Sequence, residues 1–369
     1  FESITTYQDN ISVQIPGDTT GPLSVMFGVV SETLQSGSYL QFTVDELFFS
    51  NDLLMLNSIG GLALWLDASN VDGDYNSSLS DGDAVSVWKD LSGHGNDARQ
   101  TVSGDQPTYQ SSAQNGKGGV VFDREGTQSG EYLIIDDSET LRFNADEFSV
   151  FYVVKKTVDE NPGDGGNPGI LLGSGRAGAS GSEYKNMLHF LYDDHFDINI
   201  DDDTTWKGGE TNGDFLGNYK IIYSERRNAT TGSDTLNNYF DGLQESSFDI
   251  GVDYGTLTPN TPTPIHLGRK TYSLTSTTYS QYYLNGIVSE VIVFKKALAD
   301  EERATVSAYL SSKWGLTANV DSDSDGIVDA SDPFPTDPSK WISFPEALRE
   351  NTSNEFTPMQ GLALWLDAS

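Results

Sequence analysis

The nine residues GLALWLDAS stand at positions 61–69 and again at 361–369. A match of this length that includes a Trp points to duplication of a whole domain. An offset of 300 positions excludes a solenoid, whose units recur every ~20–50 residues. The chain is therefore expected to be a window on a longer array of modules that each fold alone, with the second copy interrupted at residue 369.

Charge narrows the partners. The 55 Asp and Glu outnumber the 21 Lys and Arg, for a net charge of −34. That field repels nucleic acid phosphates and anionic lipid head groups, so neither nucleic acid nor a membrane surface is an expected partner. Nor does any apolar run reach the ~18 residues of a membrane span. So many carboxylates need counterions, and outside cells calcium is the abundant cation that oxygen ligands bind. Hydrophobic residues make up 36% of the chain, enough to build a core despite the charge. Cys is absent, so the fold relies on core size rather than disulfides.

Patterning divides the chain into four segments. Residues 1–56 alternate apolar and polar at Ile11, Val13 and Ile15 and at Leu40, Phe42 and Val44, as the closing part of an upstream β-sandwich module would. Residues 60–317 carry short apolar runs, such as 150–154, 187–192 and 288–294, between clusters of Gly, Asn and Asp. The fold class is thus all-β: a two-sheet antiparallel jelly-roll sandwich. One short closing helix is expected near 298–314, where Leu298, Val306, Leu310 and Trp314 keep helical spacing and Gly315 can end it. Residues 318–340 form a calcium-loop linker. Residues 341–369 are a Pro-containing connector and the start of the next repeat.

Four blocks carry a resemblance. LALWLDASNVDG, VWKDLSGHGNDA, VVFD and GIVSEVIVFKKALADEERATVSAYLSSKWGL are similar to successive signatures of laminin-G-like domains, of the concanavalin A-like superfamily, found in large bacterial surface proteins. The resemblance implies two packed sheets with ligands taken on a concave face or its rim, and no fixed chemistry. It also implies an extracellular or cell-surface setting, bacterial and rich in calcium, as in the sea. Trp65, Asp67, Trp88 and Asp90 of these blocks read as core and turn residues rather than ligand contacts. Where family members often have a Ser or Asp before the closing helix, this chain has Ala299, which removes a side-chain cap unless Asp300 supplies it.

Residues 321–332 read DSDSDGIVDASD. Carboxylates at positions 1, 3, 5, 9 and 12 with Gly at 6 fit a calcium loop: Asp321, Asp323, Asp325, Asp329 and Asp332 as ligands, the Ile327 carbonyl between them, and Gly326 for the sharp turn. Pro333 and Pro335 forbid the helix that an EF-hand would require. The segment instead resembles a thrombospondin type 3 calcium repeat, which links domains in bacterial surface proteins. The cofactor expected is Ca2+. Two further acidic groups, at 72–83 and 193–203, are weaker candidates for cations.

For ligands of the sandwich, sugar sites combine a flat aromatic face with polar side chains. Candidates are His189, Tyr192, Asp194, Trp206, Arg269 and Tyr272. No paired carboxylates of glycosidase spacing occur in the complete domain, and Glu290 sits in a block where a structural role is expected. The His residues at 94, 189, 195 and 266 are scattered and spell neither a triad nor a zinc site. The expected function is non-enzymatic adhesion through calcium-stiffened, glycan-binding jelly rolls, with glycans or neighbouring surface proteins as partners. The alternatives are a structural spacer in a surface fibre, including head-to-tail copies that add residues 361–369 as an edge strand, and a glycoside hydrolase of the same fold.

Overall fold

The structure, a computed structural model, describes residues 51–124, 129–142, 147–157, 169–174, 187–192, 194–201, 206–227, 234–251, 264–271, 280–281 and 283–340, together with strands Thr5–Tyr7, Asn10–Val13 and Leu40–Thr43. Contacts divide the chain into two units, Phe1–Asn51 and Asp52–Ser369. In the first unit the three described strands form an antiparallel sheet in sequence order.

The second unit is an antiparallel two-sheet sandwich. The first sheet runs Leu243–Gly251, Asp234–Phe240, Lys220–Arg227, Phe148–Lys156, Gly286–Phe294, Lys117–Phe122 and Thr108–Gln114, with Leu62–Asp67 also paired to Gly286–Phe294. The second runs Trp206–Asn212, His195–Asp201, Met187–Leu191, Gly169–Ser174, Ile265–Leu267, Leu133–Ile135, Ala98–Arg99 and Val87–Trp88. β-Branched and aromatic side chains dominate the central strands Phe148–Lys156 and Gly286–Phe294, and such residues suit a pleated, packed surface. Every residue of Gly286–Phe294 is buried, so both faces of this strand are covered. The core between the sheets takes Val150, Tyr152, Val291 and Val293 from the first sheet and Leu133, Leu171, Phe196, Ile198 and Leu267 from the second.

Among the described residues two α-helices flank the sheets. Helix α2, Asp300–Lys313, is the closing helix, and it buries Val306 and Leu310, with Leu298 and Trp314 buried beside its ends. Its N-cap Ala299 makes no side-chain cap, but the Glu302 carboxylate accepts the Ala299 N–H at 2.9 Å. Half of a capping box therefore survives the missing hydroxyl. At the other end, Gln114 and Asn115 donate to the carbonyls of Trp314 (2.9 Å) and Lys313 (3.0 Å).

Helix α1, Asn51–Ile59, is a departure from the expectation of a single helix. Its apolar run Leu53–Leu56 has no period of its own that separates strand from helix. Leu and Met favour the helix, Asp52 suits the first turn, Gly60 follows at φ +78°, and Lys296 Nζ donates to the Ile59 carbonyl at 2.9 Å.

Candidate functional site

Three clusters of polar side chains emerge from this fold. The first is buried. In the ladder of Leu62–Asp67 with Gly286–Phe294, Asp67 lies directly opposite Glu290 and Trp65 opposite Ile292, so Trp65, Asp67 and Glu290 share a face. Glu290 is 0% exposed. It accepts hydrogen bonds from Trp65 Nε1 (2.7 Å), Tyr309 Oη (2.8 Å) and Trp314 Nε1 (2.7 Å) and pairs with Lys313 Nζ at 2.8 Å. Lys313 also reaches Asp67 at 2.7 Å.

Burial pushes the Glu290 carboxyl up, against the pull of Lys313. Lys313 is held above the usual ammonium range: burial works against its charge, and Glu290 and Asp67 outweigh it. This arrangement fastens α2 to the sheet and leaves Glu290 no lone pair directed at a substrate. Asp90 plays a similar part, accepting from the backbone of Trp65, Ser92 and Asn96. Trp88 is fully buried.

The second cluster is the 321–332 loop. Carboxylate oxygens of Asp321, Asp323 and Asp325 lie within 4.8 Å of one another. Both oxygens of Asp321, and one each of Asp323 and Asp325, support the turn. Asp321 Oδ2 accepts from Gly326 N at 2.8 Å, Asp323 Oδ1 from Asp325 N at 3.2 Å, and Asp325 Oδ1 from Ile327 N at 2.8 Å. The other oxygens of Asp323 and Asp325, and Oδ2 of Asp332, are buried with no hydrogen-bond partner. Asp323 and Asp332 are themselves 5% and 7% exposed. A buried carboxylate oxygen without a donor is costly, and a hard cation satisfies several at once.

Burial first, then the charges of Asp325, Asp332 and Asp321, push Asp323 up to about 6. Asp329 stands apart from this group. Its two oxygens clasp Ser322 N (2.9 Å) and Oγ (2.8 Å).

This loop is also seated on the sandwich. Asp321 N donates to the Asp241 carbonyl at 2.9 Å and Ser324 Oγ to the Gly242 carbonyl at 2.7 Å. Asp241 (φ +51°) and Gly242 (φ +93°) form the tight turn between Asp234–Phe240 and Leu243–Gly251, the Asp-Gly signature of a hairpin.

The third cluster lies on the second sheet. Phe196 and Ile198 of His195–Asp201 face the core, so His195 and Asp197 occupy the opposite face. Asp197 is the register partner of Glu210. Tyr192 stacks on His195 with centroids 3.8 Å apart, and Asp194 Oδ1 is 2.6 Å from His195 Nδ1. The structure thus brings Tyr192 and Asp194 together with His195, Asp197 and Glu210; the acidic group at 193–203 already held Asp194 and Asp197, but Glu210 lay outside it. The alternation His195-x-Asp197 was the available signal.

The remaining candidates are dispersed. Arg269 lies 3.3 Å over the Tyr132 ring centre and donates to His266 Nδ1 at 3.0 Å, so its guanidinium is stacked on protein rather than held out for a ligand. Trp206 opens the strand Trp206–Asn212, opposite Asp201. Tyr272, like residues 341–369, lies outside the described residues. Of the weaker acidic groups, Asp72 already accepts from Asp74 N, Asn76 N, Ser78 N and Ser78 Oγ, which fills its oxygens with loop contacts.

His189 departs most from its expected role. It is fully buried between the sheets, with Nδ1 2.5 Å from Tyr152 Oη, because its place opposite Ile198 turns it toward the core. Burial pushes it down to about 3, and burial with Arg269 does the same to His266. Both stay neutral in the folded protein and take up protons near 6.5 when unfolded. Each therefore contributes stability that is lost as pH falls below about 6.5, at roughly 1.4 kcal/mol per pH unit down to the folded value. His189→Gln is expected to flatten the acid limb of a stability–pH profile measured by urea denaturation. An unchanged slope between pH 6 and 4 would refute the assignment.

No family model and no curated protein matches the chain. Among solved structures it is similar to a crystal structure of a receptor binding domain (13% identity, TM-score 0.46, covering 69% of this chain and 53% of that one). It is also similar to the botulinum neurotoxin serotype G binding domain (15%, 0.42, 70% and 51%) and to a Trypanosoma rangeli sialidase in complex with sialic acid (14%, 0.37, 69% and 33%). The chain spans about half the length of the first two.

Proposed function

We propose that this chain is a non-catalytic, lectin-like part of a repetitive extracellular surface protein, in which calcium at the 321–332 loop stiffens the exit from a glycan-binding jelly roll. The observation that carries the reading is the set of buried, unpartnered oxygens on Asp323, Asp325 and Asp332 in a loop fastened to the Asp241-Gly242 turn. Asp321, Asp323 and Asp325 fit a calcium ion, with Asp332 completing the acidic shell. The ion would neutralise their mutual repulsion and fix residues 318–340 on the sandwich. The laminin-G-like and thrombospondin type 3-like motifs support the same assignment. The non-catalytic reading is supported by Glu290, whose oxygens are consumed by Trp65, Tyr309, Trp314 and Lys313.

Calcium titration of the chain, followed by a glycan array with calcium and with chelator, tests both halves. Calcium at about 100 times its Kd should stabilise the fold by about 2.7 kcal/mol, and Asp323→Asn with Asp325→Asn should abolish that gain. Calcium that neither binds nor stabilises the protein overturns the calcium assignment. Calcium binding with silence across a broad array favours the spacer reading, and release of reducing sugar favours the hydrolase.

A further inference from the structure

We infer that the outer face of the second sheet carries a site for a divalent transition metal, built from His195, Asp197 and Glu210 and oriented by Asp194. The donor atoms of the three residues lie within 4.8 Å of one another. They come from two adjacent strands in fixed register, since Asp197 pairs directly with Glu210 and His195 is two residues along the same face. The imidazole is held on two sides: Tyr192 stacks on the ring, and Asp194 takes the Nδ1 proton. That hydrogen bond selects the tautomer whose Nε2 carries a lone pair, and Nε2 is the nitrogen turned toward Asp197, 3.9 Å from Oδ1. A carboxylate on the far nitrogen is the usual outer partner of a metal-bound His.

Asp197 supplies the independent indication that a ligand is required. Its Oδ1 is fully buried and has no hydrogen-bond partner, and the gap to Nε2 is too long for one. Two carboxylates directly opposed on neighbouring strands repel, and among the described residues no Lys or Arg pairs with either of them. A dication between the three donors removes all of these costs together.

The donor set chooses the ion. Calcium takes six to eight oxygens, whereas one imidazole with two carboxylates suits zinc and its first-row neighbours. Metal–ligand bonds of about 2.0–2.2 Å require the donors to draw in slightly, and Glu210, which is exposed, is free to close from the solvent side. Three protein ligands leave the outward position open to water or to an oxygen of a bound molecule.

Zinc titrated calorimetrically into the calcium-saturated chain should bind at this site, and Co2+ in its place should give visible d–d absorption bands. His195→Ala and Asp197→Asn should each weaken zinc binding at least about tenfold, as should Asp194→Asn through the lost outer partner. His94→Ala, on another loop, should leave it unchanged. Circular dichroism shows whether each variant is folded. Zinc uptake that is equal in wild type and His195→Ala, or absent from wild type, overturns the assignment, and so does binding whose stoichiometry falls only in His94→Ala.

Discussion

Lys313→Met is expected to cost about 3–5 kcal/mol of stability, the range for removing one partner of a buried ion pair. The side chain kept is similar in length and fills the same space, so the loss isolates charge rather than packing. What remains is Asp67 opposite Glu290 across one ladder position, both buried, with no cation between them. For a domain of this size the melting midpoint should fall on the order of 10 °C. The double variant Lys313→Met with Glu290→Gln should recover part of the loss, because it removes the uncompensated carboxylate as well. A single-variant cost under about 1 kcal/mol, typical of a solvated surface pair, would show that Lys313 does not hold the helix to the sheet.

Gly242→Ala is the second large effect. A Cβ at this position would stand 1.7 Å from the Asp321 carbonyl oxygen. That oxygen is backbone and cannot rotate away, so the 321–326 turn must lift from the hairpin. The hydrogen bonds from Asp321 N and Ser324 Oγ then fail together. Gly82→Ala provides the control: it has a similar positive φ of +84° and nothing within 4 Å of the added methyl group. The control should show only the cost of a left-handed Ala, roughly 1 kcal/mol. Gly242→Ala should in addition expose residues 318–340 to protease and weaken calcium binding on the order of tenfold. Protection of that segment equal to the control would mean that the loop is not seated on this turn.

The sandwich was legible because runs such as Val150–Val154 combine β-branched and aromatic residues with Gly, Asn and Asp punctuation. The closing helix was legible from Leu298, Val306, Leu310 and Trp314. Helix α1 was not, since four consecutive apolar residues carry no period that separates helix from strand. In the acidic loop, spacing identified Asp321, Asp323 and Asp325 correctly as neighbours. It could not separate Asp329, which is drawn off by Ser322, a residue that the ligand pattern ignores. His189 shows the opposite limit. Its aromatic, polar surroundings suggested a ligand contact, yet strand parity alone decides which way it points, and a shift of one residue would have reversed it. His195, Asp197 and Glu210 were invisible as a group because their proximity depends on the register of a hairpin whose turn the sequence does not specify by any Asn-Gly or Asp-Gly pair.

The slot that receives Leu62–Asp67 is defined by Gly286–Phe294 on one side and by Glu290, Lys313 and Trp314 beneath, and it recognises Trp65 and Asp67 by direct bonds. Residues 361–369 spell the same nine letters, so this slot has no chemical means of rejecting them. Discrimination falls to the tether. The first copy is joined directly to α1 and competes at the high effective concentration of a short intramolecular link, whereas residues 361–369 are joined to the sandwich only through the longer chain that follows α2. Filling of the slot is then a competition between two identical segments, decided by order of synthesis and by linker length. Whatever loosens the first strand during folding opens the slot to exchange with a second copy of the same nine residues.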